Sequence, residues 1–579
     1  MEAVEVVRRT SPKPLGRLSA APWVVGLIVG LVTLAVTIPL ALTAIMSLKP
    51  GLLTAPGEFT LSFYASAFGK SATYQSIVNS LIYAAGSTAV ALFFGSPLAW
   101  IAQRTDFRFR QLIFPLITVK ILVPVFITAF AWIFLLSPNI GLINQLVMSL
   151  FGLKEAPFSI YNLAGMCLVQ GLSLASVAFF MVLGVFRRMD ASLEEAAYAS
   201  GIGKVKTFVR INLPLALPGV LGAAAYIFMI GMGTFEVPFL IGGPTNIHVL
   251  ATLAYYAISP DVGLPNYNLA GAYGSALLIL GLGLSYLYSR AMQDSSKYAV
   301  VTGRGYKTSP VRLGKMTPFV GGFVAFYFLL ALILPFLVLL WVSVHSYVQP
   351  FSLEGLSTMS FSAYDRLRTA VGMRPIINTA ILMVTAPAVV VLLAFGVSFI
   401  VTRTRFRWRP VLDTIAFLPH AIPGVLAAVA FGFLFLSLVK WVPLYGSIWS
   451  LVIVMAVARL PFCTRAFNAT MVQIHPELDE AGKACGIPQG RMIGRVLVPL
   501  LLPTITSTWV WIALMDYREV TAPLVLSSPQ NVVVATAVWR LWTTAQFPEA
   551  SALGVVVISS LLVLFLVARR LTKNLGPAG

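Results

Sequence analysis

The chain has 579 residues, of which 58% are hydrophobic and only 10% are charged, with a mean hydropathy of +0.88. A soluble protein carries roughly a quarter charged residues, so the apolar excess has to face something other than water. The formal charge of +20 does not indicate nucleic-acid binding, because the basic residues lie in short loops between apolar blocks, a pattern that orients membrane proteins.

Apolar blocks of about 20 residues, the length that spans a bilayer, recur along the whole chain. They lie near 23–46, 77–102, 112–136, 162–186, 214–240 and 269–290, and then near 318–344, 376–401, 411–437, 447–467, 499–526 and 551–568. The first block is too long for a signal-peptide core, so we interpret it as a retained span. The sequence therefore predicts an all-α polytopic membrane protein with about twelve transmembrane helices.

Lysine and arginine mark alternate loops. Both ends of the chain and every even-numbered loop are basic, with representatives at Arg8, Arg104, Arg187, Lys297, Arg403, Lys483 and Arg569. Because basic loops stay on the cytoplasmic side, we predict a multi-pass protein of the bacterial inner membrane with both termini in the cytoplasm.

The second half of the chain repeats the first. The segments Asn79–Arg104 and Asn378–Arg403 both begin with Asn-Ser/Thr, run through one span, and end in Arg-Thr before a Phe-rich basic stretch. Pro124 and Pro423 hold the same place in the next span. A Pro-x-Asn triplet recurs later, at 244–246 and 529–531. We predict two tandem six-helix repeats: residues 1–290, a polar cytoplasmic linker at 291–316, and residues 317–579.

The fourth loop of each repeat carries the strongest signal. Acidic residues come first, where they favour a helix N-terminus, then small residues, then a glycine placed to end the helix in a left-handed conformation before an isoleucine. We expect a short helix outside the membrane whose small residues form a docking face for another protein. The predicted coupling residues are Glu194, Glu195, Ala196, Ala197 and Gly201 in the first loop, and Asp479, Glu480, Ala481, Gly482 and Gly486 in the second.

These loops resemble the EAA loop of the permease subunits of binding-protein-dependent ABC importers. The first reads Glu-Ala-Ala-x-x-x-Gly over 195–201, followed by Ile-Asn-Leu-Pro over 211–214. The second reads Glu-Ala-Gly-x-x-x-Gly over 480–486, followed by Val-Leu-Val-Pro over 496–499, so it departs mildly from the family pattern at Gly482 and Val496.

The resemblance implies a type I ABC importer permease, and the fusion of two halves resembles the ferric-iron type first and thiamine permeases second. It implies that each loop docks on one of two ABC ATPase subunits and that a periplasmic or lipoprotein substrate-binding protein delivers the substrate. No GxxxxGK[ST] motif occurs, so ATP and Mg are expected on the partner subunits. We expect no cofactor, no metal site and no enzyme activity in this chain.

Polar residues near the span ends are candidates for the translocation path or gate. They are Asn79, Asn378, Glu236, Asp516 and Glu519. Ionisable groups at membrane depth line polar paths or pair with each other, so an interfacial ion pair of Arg518 with Asp516 or Glu519 is the alternative.

The substrate is not fixed by the sequence. Ferric iron is the leading expectation, and acidic path residues favour a cation. Thiamine, a polyamine, and a phosphonate or sugar phosphate remain alternatives. A remote alternative is an ion-driven secondary transporter, which should show ionisable residues in mid-span or broken helices, whereas here the charges are expected at the span ends.

Overall fold

The computed structural model describes residues 22–54, 56–189, 192–260, 264–293, 311–475 and 477–573. Over these residues the secondary structure is helical, with a single isolated β-bridge and no strand, and turns and loops connect the helices. Ten helices are long and apolar enough to cross a membrane, and twelve if each of two bent helix pairs counts as one span. The predicted all-α polytopic fold is confirmed.

The long α-helices of the two halves follow the same order, although a π-helical turn divides the first span of the second half. In the first half the α-helices are Pro22–Leu48, Ser62–Phe68, Ser71–Arg104, Arg110–Leu122, Val125–Leu136, Leu142–Phe151, Leu163–Arg188, Ser192–Ala199, Lys204–Thr207, Leu213–Gly233, Leu250–Ile258 and Tyr267–Gln293. In the second half they are Thr317–Phe328, Leu334–Ser343, Leu353–Ser357, Ser362–Ala370, Arg374–Arg403, Arg409–Phe417, Gly424–Ser437, Ile448–Gln473, Glu477–Ala484, Gln489–Met492, Val498–Tyr517, Thr521–Val525, Val534–Thr543 and Phe547–Lys573. Single π-helical turns lie at Phe208–Asn212, Pro238–Gly242, Leu329–Ile333 and Ile493–Leu497.

One span in each half is broken. The blocks 112–136 and 411–437 were expected to be continuous, but the chain turns by 92° in the first and by 102° in the second. The breaks fall at Pro124 (φ −58°, ψ 136°) and Pro423 (φ −53°, ψ 134°), where proline has no N–H to continue the helix.

Small residues let the long helices of the first half approach closely. A Cβ added at Gly95 would lie 2.5 Å from the Cβ of Ala178, and one added at Gly171 would lie 2.4 Å from the Cβ of Val90. These contacts pack Ser71–Arg104 against Leu163–Arg188. Gly26 and Gly30 have the spacing of a close-packing motif, but a Cβ added at either would have no atom within 4 Å.

The first span of each half packs against a helix of the other half. Pro22–Leu48 packs against Gly424–Ser437 of the second half, and Leu334–Ser343 packs against Val125–Leu136 of the first. The ring of Phe130 stacks on Trp542 at 3.9 Å between centroids. The helices that follow the two breaks are thus held between the halves.

The predicted linker lies largely outside the described residues, which resume at 311. There Val311 N–H donates to the Arg104 carbonyl at 2.8 Å, and Leu313 N–H donates to Asp106 Oδ1 at 2.9 Å. The second half therefore begins against the Arg104 end of Ser71–Arg104. The domain boundaries themselves stay predictions.

Candidate functional site

Two short helices occupy the fourth loops, and we name them loop helix 1 (Ser192–Ala199) and loop helix 2 (Glu477–Ala484). Each ends at a glycine in the left-handed conformation, Gly201 with φ +75° and Gly486 with φ +67°. The next residue closes the end: Ile202 N–H donates to the Ala197 carbonyl and Ile487 N–H to the Gly482 carbonyl, both at 2.9 Å. This is the predicted glycine-ended helix in both copies.

A buried arginine holds each loop helix. Arg104 forms an ion pair with Glu194, and its Nη1 donates to the Met189 carbonyl at 3.2 Å. Arg403 Nη1 donates to Asp479 Oδ2 at 2.9 Å. Both arginines end the long helix of their own half, so each loop helix is tied to the main helical bundle by a charge-assisted hydrogen bond.

Sequence reasoning missed these ion pairs. The signal was present, because the Arg-Thr ending and the acidic residue at 194 and 479 occur in both repeats. The arginine side chains are only 2% and 4% exposed. Removing one partner of such a buried pair costs about 3–5 kcal/mol, since it leaves an uncompensated charge.

The small residues of the loop helices do not all face outward. Ala196 and Ala481 are exposed, as a docking face requires. Ala197 is buried, and a Cβ added at Gly482 would lie 2.8 Å from Met492 Sδ. The expectation of a single outward face of small residues is therefore wrong for these two positions.

Of the two glutamates of the EAA pattern, only Glu480 is among the described side chains. The coupling role of Glu195 therefore stays a prediction. Glu480 is half-buried, and its Oε1 meets no hydrogen-bond partner among the residues that the structure describes.

A cavity of about 390 Å³ lies between the two halves. Both helix breaks reach it, through Val123 and Val125 in the first half and Ile422 and Gly424 in the second. Its polar lining comprises Lys120, Gln170, Ser173, Thr234, Glu236, His420, Arg459, Arg518, Glu519 and Thr521.

Arg459 forms ion pairs with two acidic residues beside this cavity. Arg459 Nε donates to Asp516 Oδ1 at 3.1 Å and its Nη2 to Glu519 Oε2 at 2.9 Å. The alternative ion pair of Arg518 with these carboxylates does not form among the described residues, where Arg459 from the preceding span binds both. Asp516 is 2% exposed and does not line the cavity, whereas Glu519 does.

Glu236 and Thr521 meet at the interface between the repeats. Each lies two residues before an equivalent proline, Pro238 or Pro523. Thr521 Oγ1 donates to Glu236 Oε1 at 2.8 Å. Equivalent positions that touch each other lie on the pseudo-twofold axis, so this contact places the axis at the cavity.

Asn79 and Asn378 do not line the cavity. Asn79 Nδ2 donates to the His248 carbonyl at 3.0 Å, and Asn378 Nδ2 donates to the carbonyls of Gln530 and Val532, both at 2.9 Å. In both halves the amide ties the long helix to the loop that carries the Pro-x-Asn triplet. Of the five predicted path residues, the structure brings Glu236, Asp516 and Glu519 together and leaves the two asparagines elsewhere.

Charged residues also occur inside the spans, contrary to expectation. Lys120 is 1% exposed within Arg110–Leu122, and Arg459 lies in the middle of Ile448–Gln473. The other repeat has Pro419 and Leu174 at the equivalent positions, so a comparison of the repeats would have singled both out. Broken helices and ionisable residues in mid-span are the features expected of a secondary transporter. Because both are present here, they do not distinguish an importer permease from a secondary transporter.

Comparison with known proteins identifies the protein family to which this chain belongs. The family model described as "Binding-protein-dependent transport system inner membrane component" matches residues 91–296 and 391–578. The chain is 25% identical to the ferric transport system permease protein FbpB of Actinobacillus pleuropneumoniae over 83% of this chain and 68% of that one. It is 22% identical to the Fe(3+)-transport system permease protein FbpB 2 of Haemophilus influenzae, over 84% and 88%.

A Salmonella typhi relative, 25% identical over 41% of this chain and 81% of its own, carries a name that refers to 2-aminoethylphosphonate transport. The family match falls once in each half and covers more than half of the chain, which agrees with the two repeats seen in the structure. The chain is a multi-span transport subunit and belongs to the family of inner membrane components of binding-protein-dependent transport systems.

Proposed function

We propose that this permease moves ferric iron, delivered by a periplasmic binding protein, into the cytoplasm. Two relatives that align with more than four fifths of the chain are named for ferric iron transport. The observation that carries the proposal is the arrangement of two homologous halves around one polar cavity, with an anchored loop helix in each half.

The loop helices are the proposed docking points for two ATPase subunits, one per half, which bind ATP and Mg. Each helix exposes an alanine, Ala196 or Ala481, to which another surface can come close. Each is also tied through its buried arginine to the long helix of its half. A displacement of the loop helix by the ATPase subunit would therefore be transmitted to the whole half. Alternating access around the cavity requires such a movement of each half. Docking of this kind places the loops, the linker and both termini in the cytoplasm.

Uptake of radioactive iron by iron-limited cells tests the substrate. We expect deletion of the gene to abolish the ATP-dependent part of uptake, and the intact gene to restore it. Unchanged iron uptake with loss of labelled thiamine, polyamine, phosphonate or sugar phosphate would replace the substrate and keep the permease. Uptake that survives ATP depletion but collapses with a proton uncoupler would instead support a secondary transporter.

A further inference from the structure

Lys120 brings a positive charge into the cavity without a counter-charge. Its side chain is buried, and its Nζ donates to Thr128 Oγ1 and Ser173 Oγ, both at 3.3 Å. Among the described residues no carboxylate lies within ion-pair distance of it. Two hydroxyl groups solvate an ammonium but do not neutralise it, and an ionisable group kept at membrane depth marks a functional site.

Arg518 is a second cation at this cavity. It forms no ion pair within the described part of the chain, although the carboxylates of Glu236 and Glu519 line the same cavity. Two like charges in one enclosed space favour a ligand of the opposite sign between them.

The two helix breaks add positive potential. Val125–Leu136 and Gly424–Ser437 both begin at the cavity, and their N-caps are Pro124 and Pro423, which have no side-chain acceptor to offer. The first N–H groups of a helix have no partner within it, and the helix dipole is positive at this end. N-termini of half-helices at a break bind anionic substrate groups in other transporters.

Three cationic side chains line the cavity, Lys120, Arg459 and Arg518, against two carboxylates, Glu236 and Glu519. Glu519 is bound by Arg459 and Glu236 accepts the Thr521 hydroxyl, so the cations of the lining outnumber its carboxylates by one. The described residues contain no group of three or more His, Cys, Asp and Glu that could hold a metal ion. A bare ferric ion, which needs several hard oxygen ligands, finds no such set here.

We propose that the cavity is a binding site for an oxyanion, held by Lys120, Arg518 and the N–H groups at the two helix breaks. The ligand is a free phosphate-like anion or the carboxylate groups of an anionic metal complex. The inference rests on the proposed function, since it places this site on the transport path. For iron it means that the metal crosses together with its anionic ligands.

Equilibrium binding to the full-length permease in lipid nanodiscs tests the site. The probes are radiolabelled phosphate, radiolabelled citrate, and citrate with an equimolar amount of ferric ion. We expect saturable binding of at least one probe and a loss of about 10-fold to 100-fold in Lys120→Gln and in Arg518→Gln, the range for one charged hydrogen bond. Lys120→Arg keeps the charge and should retain most binding. Lys154→Gln, in an exposed loop, is the matched control and should bind as wild type.

The probes separate the two sources of the oxyanion. Preference for ferric citrate over citrate indicates a metal complex, and preference for phosphate indicates a free anion. The inference is overturned if wild type binds none of the probes, or if Lys120→Gln and Arg518→Gln bind like Lys154→Gln. Iron uptake that depends on the gene but is unaffected by Lys120→Gln would also overturn it while leaving the proposed function intact. Iron uptake that does not depend on the gene would end the iron assignment without touching the binding result.

Discussion

The ion pair between Arg403 and Asp479 offers the sharpest test of how loop helix 2 is held. In Arg403→Met, Asp479 keeps a charge that is only 9% exposed, and the carbonyls of Met471 and Ile474 lose donors at 2.9 and 2.6 Å. Leaving one partner of a buried pair unmatched costs about 3–5 kcal/mol. The loop helix is joined to the bundle by few other contacts, so we expect it to detach locally while the spans stay folded.

Hydrogen exchange of the backbone amides in Glu477–Ala484 measures this opening. A loss of about 3 kcal/mol corresponds to roughly 100-fold faster exchange, since each 1.4 kcal/mol is tenfold. The double variant Arg403→Met with Asp479→Leu removes both charges and should recover most of the protection. The matched control is Arg465→Met, whose partner is Asp413 and whose side chain is 51% exposed; exposed pairs contribute about 0–1 kcal/mol. Equal exchange in Arg403→Met and Arg465→Met would refute the anchoring role, as would a double variant no better than the single one.

Two further predictions concern coupling and topology. Gly201→Val and Gly486→Val place a β-branched residue at positive φ, at about 1–3 kcal/mol; transport and substrate-stimulated ATPase activity should fall, unequally between the halves, while membrane insertion measured by cell fractionation is unchanged. Normal transport by both variants would contradict the docking role. Reporter fusions after Arg17, Lys315 and Lys573 should all report the cytoplasm, and a periplasmic signal from the linker would contradict the two-half arrangement.

Features governed by local rules could be predicted from the sequence. The spans follow from the length of the apolar blocks, and the ends of both loop helices follow from a glycine followed by isoleucine. Because the repeat supplies each feature twice, the helices at 192–199 and 477–484 were expected within a few residues of where they lie.

Features decided by packing could not be predicted. Pro39, Pro97, Pro387 and Pro461 all lie inside continuous helices, whereas Pro124 breaks its span by 92°. Proline permits a break, but the surrounding helices decide whether it forms. In the same way, the sequence shows where a carboxylate lies along the chain but not which basic residue forms an ion pair with it.

The pairs that matter at the cavity join distant segments. Arg459 reaches acidic residues 57 and 60 positions away, and Thr521 reaches Glu236 across the two halves. Sequence reasoning placed Asp516, Glu519 and Glu236 in the correct region but assigned the wrong arginine, because only the tertiary fold brings Arg459 beside them.

Reconstitution into proteoliposomes tests most directly whether this permease works as part of an ATP-driven importer with separate ATPase and binding-protein subunits. Vesicles containing the permease, its ATPase subunits and the binding protein loaded with radioactive iron should accumulate iron only when ATP is supplied to the side that carries the loop helices. Gly201→Val in the same vesicles should lower both uptake and ATP hydrolysis. Iron accumulation without ATP, or ATP hydrolysis at the full rate with no iron accumulated by the wild-type complex, would contradict the account.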